Sequence, residues 1–260
     1  MLTGDEIFSR SRRLLGDNVM ERLSRCRVIV FGIGGVGSWC AESLVRTGLK
    51  HITVVDCDRV AVSNINRQSI ATLDTVGQIK VEAMKSHLLS INPTVEIDAR
   101  CEVFSAETAG RFDLDGYDYV IDAIDSLKDK ALLIELATRS RAKFFSSMGA
   151  ALKLDPTKVK VAEFWKVKGC PLARALRQRF KKSGMGPKRK FQCVYSDELL
   201  RNNAGTDESL VAGSADPSGL KPSDKARING SLMHITAIFG LTLAGLVVEN
   251  IVAGDAVKIV

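Results

Sequence analysis

The sequence predicts an α/β protein: a Rossmann-like, largely parallel sheet flanked by helices, with a smaller C-terminal extension. Three observations predict it. Short β-branched runs alternate along the chain with segments of helical period. A glycine loop, Gly32-Ile-Gly-Gly-Val-Gly37, directly follows the first run and opens a helix. An acid, Asp56, closes the second run, where an acid commonly accepts hydrogen bonds from ribose hydroxyls.

Residues 5–26 are charged and helical in period, with Ile7, Leu14, Leu15, Val19 and Leu23 as apolar positions. Arg27 to Gly32 is a buried-strand pattern, β-branched and closed by glycine. Ser38 to Thr47 reads as a helix stopped by Gly48, and His51 to Asp56 as the second strand. Gln78 to Ser90 is helical and ends before Asn92-Pro93. Val95–Cys101 and Tyr119–Ala123 are strands, and Leu127–Arg139 is a helix. Lys143 to Ser147 is a strand, and Leu152 to Phe164 a hairpin turning at Asp155-Pro156. Residues 201–230 are polar, rich in Gly, Asn, Ser and Asp, and read as a long loop or link. Composition thus divides the chain into residues 1–165, 166–230 and 231–260.

At 260 residues, with 45% hydrophobic and 26% charged, the chain is an ordinary globular protein. Such a length buries roughly 70–75% of its unfolded surface, so no metal or disulfide staple is needed. The six cysteines (26, 40, 57, 101, 170 and 193) contain no CxxC pair, which excludes a two-knuckle zinc site. The opening MLTGDEIFSRSRRLLG has no apolar core of secretion-signal type, and a cytoplasmic location is expected.

The net charge of +7 is concentrated in one place. Residues 166–190 hold ten basic side chains and no acid: Lys166, Lys168, Arg174, Arg177, Arg179, Lys181, Lys182, Lys188, Arg189 and Lys190. Inside this segment Leu172, Leu176 and Phe180 form a narrow helical stripe surrounded by arginine and lysine. A solvated helix face would look the same, but so many uncompensated cations favour a polyanion, and a nucleic acid in particular. Leu232 to Val248 is apolar but for His234, Thr236 and Thr242. It falls short of the about twenty residues of a bilayer span, and Glu249-Asn250 cuts it. A buried or dimer-interface helix is favoured, with membrane association left open.

Gly32, Gly34 and Gly37 let backbone approach a phosphate at a helix N-terminus, where free N–H groups and the dipole favour an anion. Alone this says "nucleotide", with NAD as the default. The motifs beyond it are unusual for a dehydrogenase: Asp56-Cys-Asp58, Ser63-Asn-Ile-Asn-Arg-Gln68, Val76-Gly-Gln-Ile-Lys80 and Val120-Ile-Asp-Ala-Ile-Asp125-Ser126. This ordered set, over roughly residues 5–165, resembles the ubiquitin-activating-enzyme-like adenylating superfamily, which includes the activators of the molybdopterin and thiamine sulfur carriers.

The resemblance implies a domain that binds ATP and magnesium, usually as a homodimer, and joins AMP to a substrate carboxylate with release of pyrophosphate. It implies that Gly35 lies at the nucleotide, Asp56 holds ribose, and Ser63, Asn66 and Arg67 line the phosphate site. Lys80 would contact phosphate, Asp125 would hold magnesium, and Arg13 would reach the partner subunit's ATP. Asp58, Asn64, Gln68 and Ser126 fall in the same motifs and are nucleotide-binding candidates. Arg13, Arg67, Lys80 and Asp125 are the catalytic ones.

The second half resembles the branch that dehydrates threonylcarbamoyladenosine in tRNA. The shared points are Asp155-Pro-Thr157, Pro171-Leu-Ala-Arg…Leu-Arg-Gln-Arg179, Cys193-Val-Tyr-Ser196 with Glu198 behind, and Thr236-Ala-Ile-Phe-Gly240. That branch uses ATP to activate the threonyl carboxylate, and a carbamoyl atom then closes a ring with loss of water. A basic segment suits a tRNA more than a small sulfur carrier. Where a tail cysteine would be expected the chain has Asn229-Gly-Ser231, which argues against a persulfide relay through the tail; a sulfur-transfer protein stays a candidate partner. Adenylation of a ubiquitin-like sulfur carrier is the alternative function, a nucleotide-sensing RNA-binding module without turnover another. Cys170 sits among cations that would activate a thiol, but ring closure within one substrate needs no thioester, so a passive thiol is preferred. His51, His87 and His234 lack ligand spacing and read as structural.

Overall fold

The computed structural model describes residues 4–203 and 229–254. Seven strands form one sheet in the order β3-β2-β1-β4-β5-β7-β6. In chain order the elements are α1 (Gly4–Ile7), α2 (Ser9–Arg25), β1 (Arg27–Phe31), α3 (Gly37–Thr47), β2 (His51–Val55), α4 (Lys80–Ile91) and β3 (Glu96–Arg100). Then come β4 (Tyr119–Asp122), α5 (Leu127–Ala137), β5 (Lys143–Ser147), β6 (Val159–Glu163), α6 (Pro171–Ser183), β7 (Gln192–Ser196) and α7 (Met233–Ala253). All neighbouring strands pair parallel except β6 with β7.

The β-branched runs form these strands because both faces of the parallel part are covered, and alternate residues enter two separate cores. Val28, Val30, Ile52, Val54 and Ile121 pack with apolar residues of α2, α3, α4 and α7. Ile29, Phe31, Val55 and Val120 pack with those of α5 and α6. Leu176 and Phe180 of the basic helix are buried in this second core, with Phe164, Val167 and Cys193. The described part of residues 166–230 therefore adds a helix and a strand to the same sheet as the first 165.

One sequence expectation is corrected here. Leu152 to Phe164 is not a hairpin. Asp155 accepts hydrogen bonds from Thr157 N (2.9 Å) and Oγ1 (2.6 Å), closing a tight turn over Pro156–Lys158. The amides of Leu154 and Asp155 donate to Glu198 Oε2 at 2.8 and 2.9 Å instead of to a strand. Only Val159–Glu163 is extended, and its partner is β7, a strand not expected from the sequence.

The apolar tail forms α7, the single helix among the described residues long and apolar enough to cross a membrane. Its Ile235, Phe239, Leu243, Val247 and Ile251, each four residues on from the last, lie in the first core. Glu249 and Asn250 continue the helix rather than end it, and Asn250 Oδ1 accepts a 3.0 Å bond from the Tyr119 hydroxyl. Contact between α7 and α3 is close because Gly240 has no side chain: a Cβ there would sit 2.3 Å from the Val36 carbonyl oxygen. The helix is a core element in this fold. Most of the polar stretch 201–230 lies outside the described residues.

Candidate active site

In an open α/β sheet the binding crevice lies beyond the carboxyl ends of the strands, where the strand order reverses. Here that point is between β1 and β4. The glycine loop leaves β1 on one side and residues 123–126 leave β4 on the other. The two are tightly fitted: a Cβ on Gly32, whose φ is +87°, would meet the Ala123 carbonyl oxygen at 2.7 Å, and one on Gly37 would strike the Gly32 oxygen. The loop turns inside its own radius, so α3 starts with its amides aimed into the crevice. Among the described residues the N–H groups of Gly34, Gly35, Val36 and Gly37 donate to nothing. They are the free donors an anion needs.

Asp56 ties this loop to the next strand. Its Oδ2 accepts the Ile33 amide at 2.7 Å and its Oδ1 the Asp58 amide at 2.9 Å. Lys80, the first residue of α4, reaches into the same corner, with Nζ 2.7 Å from Asp58 Oδ2 and 3.7 Å from Asp56 Oδ1. It is only 6% exposed, unusual for a lysine outside a functional or paired setting. Asp56, Cys57 and Asp58 stand close enough to hold an ion. Lys80 already supplies the positive charge there, and a thiol is a poor ligand for magnesium.

The segment after Asp58 wraps over the glycine loop. Asn64 Oδ1 accepts the Ala61 amide at 3.1 Å, which closes the turn that carries Ser63. Arg67 donates to the Ser63 carbonyl (2.8 Å) and to Asn66 Oδ1 (2.9 Å), and its Cγ lies 3.2 Å from where a Gly35 Cβ would be. Half-burial pulls the Arg67 pKa below its ordinary value, and the charge of Asp125 opposes that, so the two side chains face one field across the crevice. Asp125 is exposed and makes no hydrogen bond or ion pair among the described residues. Gln68 is buried beside Gly34 with its Oε1 unpartnered, and Ser69 Oγ is unpartnered too. Gln68 thus offers an acceptor to a ligand hydroxyl or amine.

Some site residues are not legible from the sequence. Asn66 Nδ2 donates to the Ser231 carbonyl at 3.0 Å, and Thr236 sits 3.2 Å from a Gly35 Cβ, so the start of α7 forms a wall of the site. The Trp39 indole donates to the Arg67 carbonyl at 2.9 Å. Beneath the 123–126 loop lies a fully buried ion pair, Lys130 Nζ to Asp122 Oδ2 at 2.8 Å. Lys130 also donates to the Ile124 carbonyl (2.8 Å), while Asp122 accepts from Ser146 Oγ (2.6 Å) and the Ile124 amide (3.1 Å). The network grips the backbone one residue before Asp125. Ser126 is the N-cap of α5 and its hydroxyl bonds Asp129 at 2.8 Å, so its side chain is engaged in the helix.

The basic segment divides by use. Arg177 donates to the Phe164 carbonyl at 3.0 Å and lies over that ring, and Arg189 clamps the carbonyls of Ala137, Ser140 and Ala142 at the end of α5. The other eight cations are exposed and unpaired among the described residues. Arg13 is exposed on α2 beside a shallow hollow at the Gly16 kink, apart from the crevice. Cys170 is buried at the start of α6, and burial holds the Cys193 thiol well above its usual pKa. The histidines bond singly, His51 to Glu96, His87 to Glu42 and His234 to the Leu154 carbonyl, as structural side chains do.

Comparison with known proteins matches this arrangement. The tRNA threonylcarbamoyladenosine dehydratase of Bacillus subtilis is 36% identical over 96% of this chain and 96% of its own. That of Escherichia coli is 35% identical over 96% and 94%. Crystal structures of the E. coli dehydratase superpose with TM-scores of 0.83 for its AMP complex (30% identity, 98% of each chain) and 0.82 for its ATP complex (31%, 99% of each). The sulfur carrier protein adenylyltransferase of Thermus thermophilus is 36% identical, but over 52% of this chain and 51% of its own. With residues 8–254 matched to the ThiF family, and with its glycine loop and acids set around the β1–β4 crevice, the chain belongs to that family.

Proposed function

We propose that this protein is an ATP-dependent tRNA threonylcarbamoyladenosine dehydratase. The observation that carries the reading is the extent of the likeness: dehydratases align end to end, whereas the sulfur-carrier activator aligns over about half.

The threonyl carboxylate attacks the α-phosphorus of ATP, and the bond to the bridging oxygen breaks to release pyrophosphate. A carbamoyl atom then attacks the acyl carbon, AMP departs, and the attacking group loses its proton; the net change is loss of water from the nucleoside. Charge builds on the phosphates in the first step, and fixed positive groups answer it. The free amides of residues 34–37 and the Lys80 and Arg67 side chains supply that answer, and Asp56 receives the ribose hydroxyls on its remaining lone pairs. Asp125, exposed and unengaged, is the oxygen ligand suited to magnesium, whose bound form would draw charge from the triphosphate. Exposed cations of the basic segment, Lys168, Arg174 and Lys181 among them, receive the tRNA. A tRNA substrate accords with the expected cytoplasmic location.

The test is direct. Protein, ATP, magnesium and tRNA bearing threonylcarbamoyladenosine are incubated, the tRNA is digested gently, and the nucleosides are weighed by mass spectrometry. A nucleoside lighter by one water, formed only with ATP, is expected. Unchanged nucleoside alongside pyrophosphate exchange on a ubiquitin-like sulfur carrier would overturn the reading.

The working unit in this proposal is a homodimer in which Arg13 serves the partner's ATP; Leu14 beside it is 85% exposed, an apolar group that an interface would cover. Arg13→Ala subunits mixed with Asp125→Ala subunits should then regain activity, since one of the two sites in the heterodimer has both groups intact. Proven mixing without recovery would place Arg13 in its own subunit's chemistry or outside it.

A further inference from the structure

We propose that the amino-terminal edge of the sheet carries a second phosphate-binding cleft, where Arg141, Lys143 and Lys190 hold the tRNA backbone far from the reacting nucleotide. The inference rests on the dehydratase reading for its ligand.

A cavity of about 420 Å³ opens where β5 and β7 begin, walled on its other side by the last turns of α7. Those strands run parallel, so the cleft lies at the edge opposite the glycine loop, one strand length or about 17 Å away before loops are counted. Four cations line it, Arg141, Lys143, Arg189 and Lys190, against one carboxylate, Glu249. Arg189 and Lys190 end the basic run of residues 166–190, whereas Arg141 and Lys143 lie outside it and join them only in the fold.

The Arg189 guanidinium is spent on three carbonyls at the end of α5, which fixes the strand of backbone that carries Lys190. Lys143 and Lys190 are exposed and have no bonded partner among the described residues. Arg141 donates its amide to Asp115 Oδ1 at 2.6 Å and holds its Nε 3.7 Å from the same oxygen, with the side chain 86% exposed. Three cations therefore face one cavity with Glu249 in its wall and Asp115 beside Arg141, and with Arg189 the balance stays positive.

The helix α6 links this cleft to the nucleotide end. Leu172 at its start packs on Gly149, just beyond the carboxyl end of β5, and thirteen residues carry it back about 20 Å toward the opposite edge. Arg174 and Lys181, seven residues apart, share its exposed face. The free cations thus form a track from the reacting edge to the cleft, the length of an extended polyanion. The cleft's aromatic rings are not available to bases: Phe144 and Phe191 are buried against each other with centroids 4.9 Å apart. Apart from the Gln192 amide, the polar groups that remain exposed are mainly charged, so phosphate contacts dominate the site.

The test substitutes Arg141, Lys143 and Lys190 together by glutamine and leaves Arg189 in place. Binding of full-length tRNA is followed by fluorescence anisotropy across a salt series. Three lost phosphate contacts should lower the salt slope by about two to three and weaken binding by about tenfold or more near physiological salt. Turnover of a trinucleotide centred on the modified adenosine, too short to span the two edges, should be unchanged, as should the melting temperature. A triple variant with the wild-type slope and affinity would overturn the proposal. So would equal losses on tRNA and trinucleotide, which would mean a damaged active site. Wild-type protein that binds tRNA with the expected slope yet forms no dehydrated nucleoside would instead refute the dehydratase reading and leave the cleft standing.

Discussion

Lys80→Ala is expected to fold and to form AMP about a hundredfold more slowly or worse, the scale of losing one preorganised charge from a water-poor site. The amine is nearly buried, so its charge acts at low effective dielectric and no solvent cation takes the same place. Asp56 keeps its bonds from the Ile33 and Asp58 amides after the change, so the acid proposed for ribose stays in position. The defect should therefore fall on the rate of adenylation more than on nucleotide affinity. Single-turnover AMP formation measured beside an ATP titration separates the two, and a wild-type rate would remove Lys80 from the chemistry. Asp125→Ala should lose as much and is the cleaner companion, because Asp125 holds no bond within the described fold. Arg67→Ala also frees the Ser63 carbonyl and Asn66, so its loss must be read beside a melting curve.

Local signals make much of this site legible. The glycine loop and Asp56 each end a β-branched strand, and chain geometry alone brings neighbouring strand ends together; the bond from the Ile33 amide to Asp56 is that geometry realised. Lys80 and Asp125 stand out by motif, and the fold sets both at the crevice. The features hidden in the sequence depend on contacts between distant segments. Asp155-Pro156 is a turn, as its residue types predict, but the strand after it pairs with Gln192–Ser196, which comes behind a long basic stretch that masks its alternation. Ser231 meets Asn66, and Thr236 the glycine loop, only because α7 seats on α3. Arg177 and Arg189 look like members of a uniform charge run, yet each serves carbonyls that nothing in the local pattern reveals.

Lys130 is hidden for a related reason: a lysine in a helix reads as solvated, whereas this one is fully buried against Asp122. Lys130→Met should cost about 3–5 kcal/mol in denaturant unfolding, because it leaves the Asp122 carboxylate buried without its countercharge. Adding Asp122→Asn should return most of that stability. The amide can still accept from Ile124 and donate to Ser146, and the pair then holds no lone charge. Activity should not return with it. Methionine cannot donate to the Ile124 carbonyl as Lys130 does, so the backbone before Asp125 keeps its amide bond but loses its carbonyl anchor even in the restabilised protein. The double variant should bind ATP nearly as well as wild type and adenylate at least about tenfold more slowly, since a small misplacement of a catalytic group carries a large penalty. Full recovery of turnover along with stability would show that the buried pair serves the fold alone. Recovery of stability without turnover would make Lys130 the residue that positions Asp125.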